Sequence, residues 1–497
     1  MKARIIGIVL LLGAIVGLPL ALKKESNTAS PDSADDRLVI LSPHNESIRK
    51  EFGEAFAKYW REKTGRTIYV DWRTPGGTSE IRMVIDSGFK AAEETGREGI
   101  GVDLFFGGGQ PDFSGQAKAG RLVPLDVFKD MPLLFGESGA VPEIFTGESY
   151  FDEDRLWVVT CVSQFGICYN PDFVERLGMS APEKWLDLGE PGFIGSLALA
   201  DPTKSGSVAR TFELLVQGQM QKRIAEGGSE NAAAEGWADG LRLIQRMSAN
   251  ARYFTDSASK IPQDVGQGNA AAGMCIDFYG RSYANELTTR DGKPRVVWIA
   301  PVGGTTLSGD PIAVLKGAPH MEVAQEFVKF CLSKEAQGLW FLKPGVEGGP
   351  LERSLYRAPV RRDLYVAEML SKATMPEMRP FTDPGNFTYD PALTGKAFNT
   401  LRKLVKVMCI DSHHELQEAW QAMIDAGMPA EAIAVFEDVS KVGYEIVGQG
   451  DPGLNSRDSM VQAERMKELG EWFRANYREA KRIAEESGNV AIKGGDQ

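Results

Sequence analysis

At 497 residues, with 43% hydrophobic and 25% charged residues, the chain has the composition of a folded globular protein and length enough for two or three domains. Its net charge of −12, with no clustered basic stretch beyond the extreme N-terminus, argues against a nucleic-acid-binding surface. The five cysteines (Cys161, Cys168, Cys275, Cys331, Cys409) form no CxxC pair, which argues against a thiolate zinc site. Most sit in apolar runs and read as inert core thiols, with a single disulfide left open.

The first segment, residues 1–24, has Lys2 and Arg4 ahead of an apolar run from Ile5 to Leu22, the pattern of a signal peptide or a membrane anchor. Pro19 and Leu20 before Ala21 make a poor cleavage site, so an anchor in the inner membrane over residues 5–22 stays open beside a cleaved signal. Either way the destination is periplasmic or otherwise extracytoplasmic. Residues 25–36, polar throughout, read as a flexible tether.

Leu38–Leu41 is a short apolar strand, and Ile48, Phe52, Phe56 and Trp60 recur every four residues along one helix face that stops at Gly65. "TIYVDW" alternates as a second strand, "PGGTSEIRMVIDSGF" turns into a helix with Thr78 or Ser79 as its N-cap, and "GVDLFFGGG" is strand followed by glycine loop. This alternation predicts an α/β domain with a mainly parallel sheet. The strand-rich run "RLWVVTCVSQFGICY" would carry the chain into a second lobe, "PRVVWIAPVGGT" would bring it back, and "MEVAQEFVKFCLSKEAQGLWFL" is helical.

The expected organisation is therefore lobe 1 over 37–155, lobe 2 over 156–298, a return to lobe 1 over 299–353, and a helical C-terminal extension over 354–497. In that extension Ser412 and Glu415 fit a capping box. Two lobes joined by two crossings enclose a cleft, and ligand sites in open α/β sheets lie beyond the strand C-termini.

Four loops follow apolar strands and offer backbone N–H groups: "SPHNES" (42–47), "PGGTS" (75–79), "FGGGQ" (106–110) and "DPTKSGS" (201–207). Such loops at helix starts suit anions, and glycine lets a ligand approach the backbone closely. "CIDFYGRSYANEL" (275–287) adds Asp277, Tyr279, Arg281 and Tyr283 directly after a strand, more polar chemistry than a helix start requires. Of four histidines, only His44 stands in a strand–helix loop of the cleft; His320 reads as a turn residue, and His413 and His414 as a solvated helix start. GxSxG, HExxH and Walker A patterns are absent, which disfavours an enzyme.

The order of segments resembles the extracellular solute-binding proteins of ABC importers, of the two-lobed type that includes the ferric-iron binders. "FGICYNPDFVERLG", "APEKWLDLGEPGFIGSLALADPTKSGS" and "GNAAAGMCIDFYGR" carry the likeness, which covers about residues 38–345. It implies a periplasmic-binding-protein (type 2) fold that closes on its ligand and docks on a membrane permease. Residue by residue, Ser205, Gly206 and Ser207 match the loop that holds a synergistic anion, and Tyr279 matches the second iron-binding tyrosine. Phe278 replaces the first tyrosine, the family's acidic iron ligand falls within Gly107–Gly109, and its histidine aligns with Asn45.

Two ligand classes follow. Fe(III), as a transported ligand rather than a resident cofactor, would need Tyr279, Asp277 and His44 to rebuild its shell of hard donors. A small anionic, oxygen-rich solute would use His44, Asn45, Gly76, Gly77, Thr78, Gly107–Gly109 and Ser205–Ser207, with Arg281 pairing to a carboxylate or phosphonate. The expectation is a non-catalytic monomeric capture protein that partners a small ligand and an ABC permease and has no nucleic-acid partner. A membrane-anchored sensor or scaffold on the same fold is the alternative, and a phosphoester hydrolase a third.

Overall fold

The computed structural model describes residues 27–494 apart from 228, 383, 384 and 386. The expected signal or anchor at 1–24 lies outside the described residues. Among the described residues no helix is long and apolar enough to cross a membrane. Residues 27–35, expected as a loose tether, lie against the first lobe: the Ala29 amide donates to the Ile68 carbonyl at 3.1 Å, and Asp35 accepts from the Thr67 amide at 2.8 Å.

The strands are β1 (Asp36–Leu41), β2 (Ile68–Arg73), β3 (Leu104–Phe106), β4 (Ile144–Phe145), β5 (Glu148–Ser149), β6 (Val158–Ser163) and β7 (Phe165–Tyr169). After them come β8 (Leu197–Ala200), β9 (Ala251–Thr255), β10 (Ala272–Ile276), β11 (Val297–Ile299), β12 (Ser308–Val314) and β13 (Ala358–Pro359). They form two sheets of the lobes, ordered β13-β6-β12-β3-β1-β2 and β11-β7-β10-β8-β9, with β4-β5 a separate hairpin.

Both sheets are mixed rather than mainly parallel. In each, three parallel strands (β2, β1, β3 and β9, β8, β10) continue into antiparallel neighbours. Antiparallel pairing arises because the chain crosses between lobes and re-enters each sheet from the opposite end.

The crossings lie at Gln164, between β6 and β7, and between Ile299 and Ser308. The first falls later than the expected boundary at 156, because β6 pairs with β12 and β13 in lobe 1. An unbroken hydrophobic run carries no mark of where one sheet ends and the next begins.

Helix α1 (Glu46–Thr64) buries the anticipated Ile48, Phe52, Phe56 and Trp60, and Gly65 closes it at φ 73°. Helices α2 (Thr78–Glu94) and α3 (Gln110–Lys118) follow β2 and β3. The N-cap of α2 is Gly77; Thr78 and Ser79 stand inside the first turn. Lobe 2 contributes α4 (Gly206–Glu226), α5 (Ala232–Ala249), α6 (Lys260–Gln267) and α7 (Asp277–Glu286), and lobe 1 is completed by α8 (Met321–Cys331) and α9 (Lys334–Phe341).

The C-terminal third is not one helical appendage. Residues 355–378 first return to lobe 1: β13 pairs with β6, and Leu355, Val360, Leu364 and Met378 join its core. The chain then moves to lobe 2, where α10 (Phe398–Val405), α11 (His413–Asp425), α12 (Ala430–Phe436) and α13 (Ser459–Gly494) build one continuous core with β8 and β10 through Leu401, Trp420, Phe436 and Tyr477. The capping box at Ser412 does not form. A π-helical turn at Lys406–Ile410 presents the Val407 carbonyl, and Ser412 Oγ donates to it at 2.8 Å. All five cysteines are buried and unbridged.

This segment touches both lobes. The Tyr389 amide donates to the Thr146 carbonyl of lobe 1 (2.9 Å), while its hydroxyl donates to Glu213 on α4 of lobe 2 (3.0 Å). From α10, Arg402 donates to the Pro202 carbonyl in lobe 2 (2.7 Å) and to Ser79 Oγ in lobe 1 (2.5 Å).

Candidate functional site

The ends of the strands face each other across the lobes, and a cavity of about 570 Å³ lies between them. The first turns of four helices open onto it: Gly76–Thr78 at α2, Gly108–Pro111 at α3, Ser205–Ser207 at α4 and Ser257–Lys260 at α6. Neither Gly77 nor Gly109 provides a side-chain cap, and Ser259 makes none at α6. Helix N-termini carry partial positive charge and N–H groups with no partner inside the helix, so convergent ones favour an anion.

Glycine is required where the walls meet. Gly108 has φ 129°, and a Cβ there would come within 2.2 Å of Thr78 Cγ2. Across the cleft, a Cβ on Gly206 would lie 2.9 Å from Thr78 Oγ1. These contacts bring the α2, α3 and α4 termini together as closely as backbone allows.

The inner wall is a hydrogen-bonded cluster. Asp310, on β12, accepts from the Gly108 amide at 2.6 Å, lies 3.0 Å from His44 Nε2, and pairs with Arg357 from the segment before β13. Burial opposes the charge on Asp310, but Arg357 and His44 outweigh it and hold the carboxyl far below the usual range. For His44 the balance reverses: burial outweighs the attraction of Asp310 and pushes the imidazole pKa down, so the ring is neutral at pH 7. The Arg357 guanidinium also lies 3.9 Å over the Phe278 ring.

Other lining charges are largely matched. Glu148 of β5 pairs with Arg210 of α4 across the lobes (2.5 Å), and Asp256 pairs with Lys260 (2.6 Å). Asp112, buried in α3, is pushed up in pKa by burial, which Arg82 and Arg402 only partly oppose. Lys204, exposed at the mouth, and Glu80, half-buried on α2, complete the charged lining.

Ten of the expected residues face this cavity: His44, Gly76, Gly77, Thr78, Gly108, Gly109, Ser205, Gly206, Ser207 and Tyr279. Five do not. Asn45 is spent as the N-cap of α1, accepting from the Ile48 amide at 3.1 Å. Gly107 lies behind the wall against His44, where a Cβ would come within 2.6 Å of Nε2. Asp277 is buried at the start of α7, accepting from the Phe278 amide at 2.8 Å and lying 3.7 Å from Arg281.

Arg281 stacks on Trp298, its guanidinium carbon 4.8 Å from the ring centroid, and Tyr283 packs against the lobe 2 core. The conjectured iron shell of Tyr279, Asp277 and His44 is therefore not assembled: Asp277 is turned away, and His44 is engaged by Asp310. Burial also raises the Tyr279 pKa to about 12, against phenolate formation. Among the described residues no group of three His, Cys, Asp or Glu side chains could hold a metal ion.

The lining residues that sequence reasoning did not single out are chiefly Glu148, Arg210, Asp310 and Arg357, together with the "DSASK" loop at 256–260. The loop follows a strand and precedes a helix, as the four recognised loops do, and could have been found by that signal. The others come from distant segments and carry no local signature.

Residues 103–342 match the model of the bacterial extracellular solute-binding protein family. That match spans just under half of the chain. Among curated relatives, an uncharacterized protein of Haemophilus influenzae is 25% identical over 268 residues, 53% of this chain and 67% of its own length. The phosphoglycerate transport regulatory protein of Salmonella typhimurium is 24% identical over 180 residues, 36% of this chain and 39% of its own.

Among solved structures, the substrate binding protein of the ABC transporter from Agrobacterium tumefaciens superposes with a TM-score of 0.50 at 18% identity, covering 70% of this chain and 86% of that one. That likeness concerns the fold alone. The chain thus has the two-lobed architecture of a periplasmic binding protein, and the matched family model and the two named proteins just cited, from Salmonella and Agrobacterium, are described by binding or transport. Its last 155 residues, 343–497, lie outside the family match.

Proposed function

We propose that this solute-binding protein captures a small anionic, oxygen-rich organic solute between its lobes, outside the cytoplasm, and delivers it to an ABC permease. The observation that carries the reading is the convergence of the α2, α3, α4 and α6 N-termini on one cavity. Each terminus contributes first-turn N–H groups and a share of positive potential, which a phosphate or carboxylate completes, although at α4 Ser205 Oγ already accepts from the Val208 amide at 3.4 Å. The volume of about 570 Å³ falls within the range of roughly 300–1,000 Å³ usual for organic-ligand pockets. The name of the Salmonella relative points the same way, since phosphoglycerate bears both phosphate and carboxylate groups. Iron is the weaker reading, for want of a set of anionic oxygen donors at Tyr279.

A second reading, an extracytoplasmic sensor, is supported by one feature: the C-terminal segment is bonded to both lobes, through Tyr389 and Arg402, and so is placed to register closure. A relative named as a transport regulatory protein fits that role.

Thermal unfolding in the presence of a panel of phosphorylated and carboxylated solutes tests the proposal. A ligand bound only by the folded state raises the midpoint with concentration. At least one panel member should do so while potassium chloride at equal ionic strength does not. No stabilisation by any anion on the panel would refute the anionic reading.

A further inference from the structure

A carboxylate stands among the helix termini that converge on the cavity. Asp112, in the first turn of α3, lines the cavity and is 6% exposed. Its Oδ1 meets Arg82 of α2 at 3.4 Å, while among the described residues nothing donates to Oδ2, which is not sealed from solvent. Oδ2 stands 3.6 Å from where a Cβ on Gly206 would lie and 3.9 Å from where one on Gly109 would lie, so it is set between the starts of α4 and α3. Both glycines line the cavity. The other buried carboxylates of the wall are engaged: Asp310 by the Gly108 amide, His44 and Arg357, and Glu148 by Arg210 and Ser308.

The charged groups that face Asp112 are Arg82 and Asp86 of α2 and Arg402 of α10; the first turn of α4 carries no acidic residue. Arg82 is 31% exposed, and an ion pair this long and this open to water is weak. Glu80 on α2, half-buried, and Lys204 before α4, exposed, also line the cavity. An oxyanion seated at the α3 and α4 termini therefore brings an oxygen against the free Oδ2. Two acidic groups in contact do not both ionise; they share one proton, as paired carboxylates do. The shared proton makes a charge-assisted O–H···O bond, roughly twice as strong as a neutral one. Burial, which already pushes the Asp112 pKa up, acts in the same direction.

We propose that Asp112 shares a proton with the bound oxyanion, so that capture of the solute takes up a proton from solvent. The solute class is a phosphate monoester, whose second pKa of about 6 lets it give or receive that proton near neutral pH. Asp112 thereby sets the protonation state in which the anion is held. This inference rests on the anion reading above and adds to it a dependence of capture on pH.

The test is calorimetric titration at pH 8 with 3-phosphoglycerate, glycerol 3-phosphate and inorganic phosphate, each in two buffers of different ionisation enthalpy. Wild type should take up about one proton per phosphate bound, and its affinity should fall about ten-fold between pH 7.5 and pH 8.5. Asp112→Asn, close in shape and able to donate, should bind at pH 8 without net uptake and with an affinity that does not change over that interval. Asp112→Ser takes its place if that variant does not fold. A purely structural role for Asp112 would leave the uptake unaltered.

Binding without proton uptake, or uptake that persists in Asp112→Asn, overturns the shared proton while leaving the anion site standing. Uptake lost in Glu80→Gln but kept in Asp112→Asn overturns it too, by moving the proton to Glu80. Failure of all three phosphates to bind overturns both readings.

Discussion

Arg210 offers the sharpest test of how the lobes are held together. It leaves α4 in lobe 2 and meets Glu148 of lobe 1 at 2.5 Å and Glu213 on its own helix at 2.6 Å; all three side chains are at least 93% buried. The Tyr389 ring lies 3.7 Å from its guanidinium, and Ser308 Oγ donates to Glu148 at 3.0 Å. Burial alone would lower the Arg210 pKa, but Glu148 and Glu213 outweigh it and hold the guanidinium charged well above its ordinary value.

Replacing Arg210 with methionine keeps much of the volume but leaves two buried carboxylates without their cation. Removing one partner of a buried pair typically costs about 3–5 kcal/mol, and the same range is expected here. Urea unfolding of wild type and Arg210→Met would measure it. Because Glu148 and Arg210 come from different lobes, the double variant Glu148→Gln, Arg210→Met should recover part of the loss. A loss below about 1 kcal/mol, the size expected of an exposed ion pair, would refute the claim that this contact between the lobes is buried from water.

Three further outcomes are expected. His44 is held neutral in the fold, so the stability it contributes is complete above the unfolded-state histidine pKa of about 6.5 and is lost as pH falls below it. Stability measured at pH 7 and pH 5 should therefore fall more in wild type than in His44→Gln, and parallel curves would contradict the buried neutral ring. Asn45→Ala should cost about 0.5–2 kcal/mol through loss of the α1 cap and leave solute affinity intact; a changed affinity would return Asn45 to the site. Titration with Fe(III)-citrate should give no phenolate-to-iron charge-transfer band, and a band abolished by Tyr279→Phe would restore the iron reading.

Much of this architecture is legible in the sequence because local periodicity records it. The spacing of Ile48, Phe52, Phe56 and Trp60 marks the buried face of α1, and the glycine and serine loops mark helix starts that reach the cavity. Local pattern fails where tertiary partners decide. Asn45 resembles a cleft residue but is consumed as a cap, and Asp277 turns inward beside Arg281. Ser412 prefers a carbonyl that only a π-helical turn presents.

The inner wall is assembled from His44, Asp310 and Arg357, residues separated by up to 313 positions, so no window of sequence contains it. The boundary at Gln164 was invisible for the same reason: which sheet β6 joins depends on β12 and β13, not on its own residues.

The account turns on whether an anion sits at the helix termini. The most direct measurement is calorimetric binding of a stabilising phosphorylated or carboxylated solute to wild type and to Ser207→Glu. Ser207 lies in the first turn of α4 and on the cavity, a position where a glutamate is compatible with the helix but adds negative charge to the site. The account predicts saturable binding by wild type, lost at least a hundred-fold in Ser207→Glu at unchanged thermal stability. Equal binding by the two proteins would contradict it, and would place the solute away from the termini that define the cleft.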